Sequence, residues 1–206
     1  MPQKKYTLLC LGDSYTIGEA VEPHERFAHQ AVEMLKQKKL FFAQPKIIAK
    51  TGWTTDELSA AIKEQNLQGI FDVVTLLIGV NNQYRNRDIE NYRLEFTELL
   101  QTALRYANNN CQHVFVISIP DWGVTPFALK DERSEQKIAE QINSFNRVNK
   151  EVSEQVGVHY IDITPGSRKA KHDKTLIAND GLHPSEKMYR EWAITLADKL
   201  HAVFKK

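Results

Sequence analysis

Short apolar runs alternate along this chain with longer segments whose apolar side chains recur at every third or fourth position. Tyr6 to Leu11, Lys46 to Ala49, Asp72 to Ile78, His113 to Ile119 and Val158 to Ile161 are such runs, which predicts strands. From Asp88 to Ala107, the side chains of Ile89, Tyr92, Phe96, Leu99, Ala103 and Tyr106 share one helical face, which predicts a helix covering a sheet. Thr54-Thr55-Asp56-Glu57 offers a capping box for another helix. Ser134 suits the cap of a third, with Gly157 as its C-terminal stop. A last helix over about Ser185 to Phe204 turns Met188, Trp192, Leu196 and Leu200 inward. Strand and helix in alternation, repeated along the chain, predict a three-layer α/β domain with a parallel sheet and right-handed crossovers. Two stretches fit neither period, Pro120 to Arg133 and Ile163 to Asn179; loops this long tend to be functional or mobile.

A chain of 206 residues with 42% apolar side chains can bury a sizeable core, so residues 1–206 are expected to form a single domain. Lys and Arg number 27 against 26 Asp and Glu, leaving no field to attract a polyanion, so nucleic acid is not an expected partner. Met1-Pro2-Gln3-Lys4-Lys5 leads into an apolar stretch that ends at Gly12, too short for a secretory signal or a membrane span. The expectation is a cytoplasmic protein with no integral membrane segment. Cys10 and Cys111 sit in or beside strands, where a free thiol packs as a small hydrophobe.

In an open parallel sheet, ligands bind beyond the carboxyl ends of the strands, so residues that follow different strands converge. Ser14 follows the first strand, Gly52 the second, Asn81 the third, and Asp180 with His183 the fifth. A serine hydroxyl is a poor nucleophile at neutral pH and needs a base, which in turn needs a carboxylate to fix its tautomer. His183 and Asp180, three residues apart and followed by Pro184, suit a tight turn that presents both side chains. An oxyanion formed on attack needs donors, and the candidates are the backbone N–H of Ser14, the backbone N–H of Gly52 and the side-chain amide of Asn81. The Gly-x-Ser-x-Gly elbow is absent around Ser14, which argues against the α/β-hydrolase fold.

Leu11-Gly12-Asp13-Ser14, Gly52 within Lys50-Thr51-Gly52-Trp53, Gly79-Val80-Asn81-Asn82 and Asp180-Gly181-Leu182-His183 together resemble the four motif blocks of the SGNH, or GDSL-type, hydrolase family. The resemblance covers nearly the whole chain. It implies a flavodoxin-like α/β/α sandwich, Ser14 as nucleophile, Asp180 and His183 as its partners, and Ser14, Gly52 and Asn81 as oxyanion donors. It implies hydrolysis of a small-molecule ester with no metal and no organic cofactor. Asn82 stands where the family often has aspartate, and it joins Trp53, Trp122 and Phe127 as a candidate substrate contact. For these aromatics, packing beneath a long loop is the competing role. The expected substrates are short-chain or O-acetyl esters, including acetylated carbohydrate, with lysophospholipase or thioesterase activity on longer acyl chains as the alternative. A metal-dependent phosphoesterase would also cluster such residues, but Asp13, Asn81, Asp180 and His183 contain no paired-ligand motif. A non-catalytic binding module on the same fold is the remaining class.

Overall fold

The computed structural model describes residues 4–205, so Met1-Pro2-Gln3 lie outside the described residues. The chain runs β1 (Leu8–Gly12), α1 (Ser14–Ile17), α2 (Phe27–Gln37), β2 (Lys46–Ala49), α3 (Thr55–Gln65), β3 (Val73–Leu77), α4 (Val80–Tyr84), α5 (Ile89–Tyr106), β4 (Val114–Ile117), α6 (Glu135–Val156), β5 (His159–Ile161), α7 (Thr164–Arg168) and α8 (Glu186–Phe204). All strand pairs are parallel, in the order β2-β1-β3-β4-β5. Right-handed crossovers that first run from β1 to β2, then reverse towards β3, β4 and β5, must place helices on both faces. Accordingly α2 packs with α8, while α5 packs with α3 and α6. Covered on both faces, β1, β3 and β4 are buried at every position, which is why they read as continuous apolar runs.

The helix boundaries have local causes. Asp88 caps α5 by accepting the Asn91 amide, and the Ser134 hydroxyl accepts the Lys137 amide at the start of α6. Gly157 closes α6 in the left-handed region at φ 80°. At α3 the Glu57 carboxylate reaches back to the Thr54 amide at 2.9 Å. Apart from β2, which has the expected bounds, the strands are shorter than the apolar runs. Tyr6 makes only an isolated bridge to Phe42, and the Thr7 amide is taken by the Asp72 carboxylate at 2.8 Å, so the ladder begins at Leu8. His113 belongs to a 3-10 turn before β4. The stretch after Ile163, read as loop, holds the five-residue α7, whose opening amides at Ile163 and Thr164 both donate to the Ser118 hydroxyl.

Helix α8 buries Met188, Tyr189, Trp192, Leu196 and Leu200, each of which contributes about 1.5 to 3 kcal/mol by leaving water. Its Tyr189 hydroxyl donates to the Tyr15 carbonyl at 3.1 Å, tying the last helix to the segment that follows β1. Cys10 is fully buried, and burial pushes its thiol up to about 12, an inert packing group. Among the described residues, no helix is long and apolar enough to cross a membrane.

Candidate active site

The strand order reverses between β1 and β3, and a crevice opens beyond their carboxyl ends. Gly12 allows the chain to leave β1 tightly, since a Cβ there would stand 2.0 Å from Thr16 Oγ1 and 2.3 Å from the Leu77 carbonyl oxygen. Asp13 then caps α1 by accepting the Tyr15 amide at 3.0 Å, and Ser14 becomes the first residue of that short helix. Asp13 is fully buried and its Oδ2 has no hydrogen-bond partner. Burial pushes its carboxyl up to about 7, against the lowering effect of the Tyr15 amide.

Ser14 Oγ lies 2.9 Å from His183 Nε2, across 169 residues of sequence. The histidine is presented by a turn that Asp180 organises: Asp180 Oδ1 accepts the amides of Leu182 at 2.9 Å and His183 at 3.0 Å, while Oδ2 stands 2.5 Å from His183 Nδ1. Burial draws the Asp180 carboxyl upward, but the His183 hydrogen bond and the two amides outweigh it and hold it below its usual range. An ionised carboxylate accepts only, so it places the imidazole proton on Nδ1 and leaves the Nε2 lone pair facing the Ser14 hydroxyl.

Asn81, on α4 just after β3, donates Nδ2 to the Trp53 carbonyl at 2.9 Å, which fixes the amide and leaves its second N–H for the crevice. Gly52 takes φ 85°, a left-handed turn for which glycine is suited, and its carbonyl accepts Arg85 Nη2 at 2.7 Å. The turn from Gly52 to Trp53 thus adjoins Asn81, yet neither residue lines the cavity over Ser14. The Trp53 side chain is half-buried and packs against the core. Asn82 also faces elsewhere. It is fully buried, accepting the Thr55 amide at 3.1 Å and donating to the Thr55 hydroxyl at 2.6 Å, so it locks α4 to the start of α3. Successive helical residues diverge by about 100°, so Asn81 and Asn82 cannot serve the same cavity.

The cavity itself measures about 110 Å³. Ser14, Asn81 and His183 contribute its polar groups, and Trp122 and Phe127 stand in its walls. Sequence reasoning missed four other lining residues: Tyr15, Val80, Tyr84 and Leu182. The spacing of Tyr84, three residues after Asn81 on one helix, was the available signal. A larger hollow of about 480 Å³ between α3 and α5 includes Ser59 but no histidine or carboxylate to activate it. Among the described residues, no group of three or more His, Cys, Asp or Glu could hold a metal ion.

Residues 10–191 match the model of the GDSL-like Lipase/Acylhydrolase family. No curated protein matches the chain. Its fold is similar to that of a lipase/acylhydrolase from Enterococcus faecalis, at 18% identity and a TM-score of 0.72, covering 96% of each chain. It is also similar to an aryl esterase from M. smegmatis, at 22% identity and a TM-score of 0.67, covering 97% of this chain and 100% of that one. An acetyl-xylooligosaccharide esterase from Geobacillus shares the fold at 18% identity and a TM-score of 0.67, covering 98% of this chain and 96% of that one.

Proposed function

The chain belongs to the GDSL-like lipase/acylhydrolase family and is an ester-hydrolysing enzyme, and from that premise we propose that it acts through an acyl group carried on Ser14. The observation that carries this reading is the hydrogen-bonded line from Asp180 through His183 to Ser14, at 2.5 and 2.9 Å. Ser14 Oγ attacks the ester carbonyl while His183 Nε2 takes its proton, and Asp180 stabilises the imidazolium that results. The tetrahedral oxyanion accepts from the second N–H of Asn81 and from the Ser14 amide, which opens α1 and so has no intrahelical acceptor. The resemblance implies the Gly52 amide as a third donor; it lies on the turn whose Trp53 carbonyl anchors Asn81, outside the cavity over Ser14. His183 returns its proton to the departing alkoxide as the C–O bond breaks. Water then attacks the acyl-enzyme, giving a proton to His183, and the carboxylic acid leaves as Ser14 regains its hydrogen.

The acyl group is short, acetyl above all, and the substrates include O-acetylated carbohydrate. A cavity of about 110 Å³ is well below the roughly 300 to 1,000 Å³ of pockets that enclose drug-sized ligands, and room for an acetyl group is what it offers. The test is a series of p-nitrophenyl esters of increasing acyl length, assayed with the wild type and Ser14→Ala. Activity confined to the shortest esters and abolished in Ser14→Ala is the expected result. A maximum at long chains would instead favour the lysophospholipase or thioesterase reading, and hydrolysis surviving in Ser14→Ala would remove the nucleophile.

A further inference from the structure

The aromatic wall of the cavity is held from behind by one cation. Arg133, at the end of the loop that follows β4, has its guanidinium carbon 5.2 Å from the Trp122 ring centroid and 5.4 Å from that of Tyr84. One edge of the guanidinium is spoken for: Nε and Nη2 donate to Oδ1 and Oδ2 of Asp131, both at 2.8 Å. That fork fixes the plane of the group and leaves its π-stacking surface to the rings. The pair is largely shielded, with side-chain exposures of 17% for Arg133 and 14% for Asp131. Arg133 holds the Asp131 carboxyl down at about 2, so the pair stays ionised across the neutral range.

The remaining nitrogen, Nη1, donates to Gln141 Oε1 on α6 at 3.3 Å. The same Gln141 oxygen accepts Gln83 Nε2 at 2.8 Å, and Gln83 Oε1 accepts the Trp122 indole N–H, also at 2.8 Å. A closed ring of contacts therefore runs from Arg133 through Gln141 and Gln83 to Trp122 and back to the guanidinium, joining the loop, α4 and α6. An Asp–Arg pair two residues apart would need none of this to be stable. Tyr84 is 42% exposed, and its ring is packed edge-on to Trp122 at 5.4 Å and against Phe127 at 6.1 Å; losing the cation removes one of the contacts that hold it and loosens the ring.

We propose that Arg133 is a positioning residue for specificity: it clasps Tyr84 and Trp122 as a rigid wall that limits the length of the acyl chain the enzyme accepts. The inference rests on the reading of this cavity as the acyl site. Arg133 touches no reacting atom, so its effect falls on discrimination between esters. A pocket contact discriminates by about tenfold or more per added methylene, and loosening the wall gives that discrimination up.

The experiment compares wild type, Arg133→Met and Arg133→Lys on p-nitrophenyl acetate and octanoate, beside fluorine NMR of protein labelled with fluorotryptophan, the Trp122 signal being assigned with Trp122→Phe. Arg133→Met is expected to raise the octanoate-to-acetate ratio of kcat/KM by about tenfold, through a lower KM for octanoate, and to shift or broaden the Trp122 resonance. Arg133→Lys, which keeps the charge without the planar fork, falls between the two. A uniform loss on both esters with the ratio unmoved, or an unaltered Trp122 resonance, overturns the proposal. Hydrolysis that persists in Ser14→Ala would sink the catalytic reading while leaving the NMR comparison intact. Serine-dependent hydrolysis with an unmoved ratio sinks the clasp alone.

Discussion

Replacing Asp180 with asparagine tests the site at the point where geometry dictates a single outcome. The carboxylate has two oxygens in use: Oδ1 accepts the Leu182 and His183 amides, and Oδ2 faces His183 Nδ1. Asparagine has one oxygen, and turning it towards the imidazole would set its NH₂ against two backbone donors at 2.9 and 3.0 Å. The oxygen therefore stays with the backbone and the NH₂ faces Nδ1. Nδ1 must then be the lone pair, the proton moves to Nε2, and the ring donates to Ser14 where it should accept. The expected fall in kcat is about 10⁴-fold, or about 5 kcal/mol at 1.36 kcal/mol per tenfold. Stability near neutral pH changes little because the turn keeps its two amide bonds, whereas Asp180→Ala loses both and lowers the melting temperature as well. The native carboxyl is held below its unfolded value, so its stabilising effect is present above about pH 4 and lost on acidification through the folded pKa; the Asn variant lacks that loss. The assay is kcat on p-nitrophenyl acetate at saturation, with thermal melts from acid to neutral pH. A fall of less than about tenfold with the melt intact at neutral pH refutes the tautomer argument.

Asn81→Ala is expected to lower kcat by about 100- to 1,000-fold with KM nearly constant, since in the proposed mechanism its free N–H meets the oxyanion and not the ground-state ester; steady-state kinetics on p-nitrophenyl acetate check it. Asn82→Ala leaves the Thr55 amide unpaired in the interior and is expected to cost about 1 to 3 kcal/mol in urea unfolding, with kcat lowered far less than in Asn81→Ala. Asp13→Asn keeps the cap on α1 but cannot ionise. Burial moves the Asp13 carboxyl from its ordinary 3.8 to about 7, so the wild type loses stability as pH rises between those values, and the Asn variant should gain in relative melting temperature across that interval. A difference in melting temperature that is constant with pH would contradict it.

Two kinds of information divide between the sequence and the fold. The strands β1, β3 and β4 announce themselves because burial on both faces leaves them almost wholly apolar, Thr75 being the exception, and α5 does so because a helix on a sheet repeats its apolar contacts every third or fourth residue. Ser14, Asn81 and His183 could be picked out as a set because a parallel sheet sends each strand's carboxyl end to one rim, so chain order alone brings them together. The lengths of the strands were less legible, since Thr7 ends a ladder through a side chain 65 residues away.

Patterning of apolar and polar residues, a local property set by backbone period, determined the alternation of elements and the rim on which the chemistry would sit. It could not say which neighbours of Asn81 look into the cavity, because that depends on the rotation of α4 about its axis. Packing decided it, turning Tyr84 towards Ser14 and sending Asn82 to Thr55. Nor does any spacing connect Arg133 with Trp122, Gln83 and Gln141: they meet because a loop, α4 and α6 are pressed together, and contacts between elements exist only once the layers have closed.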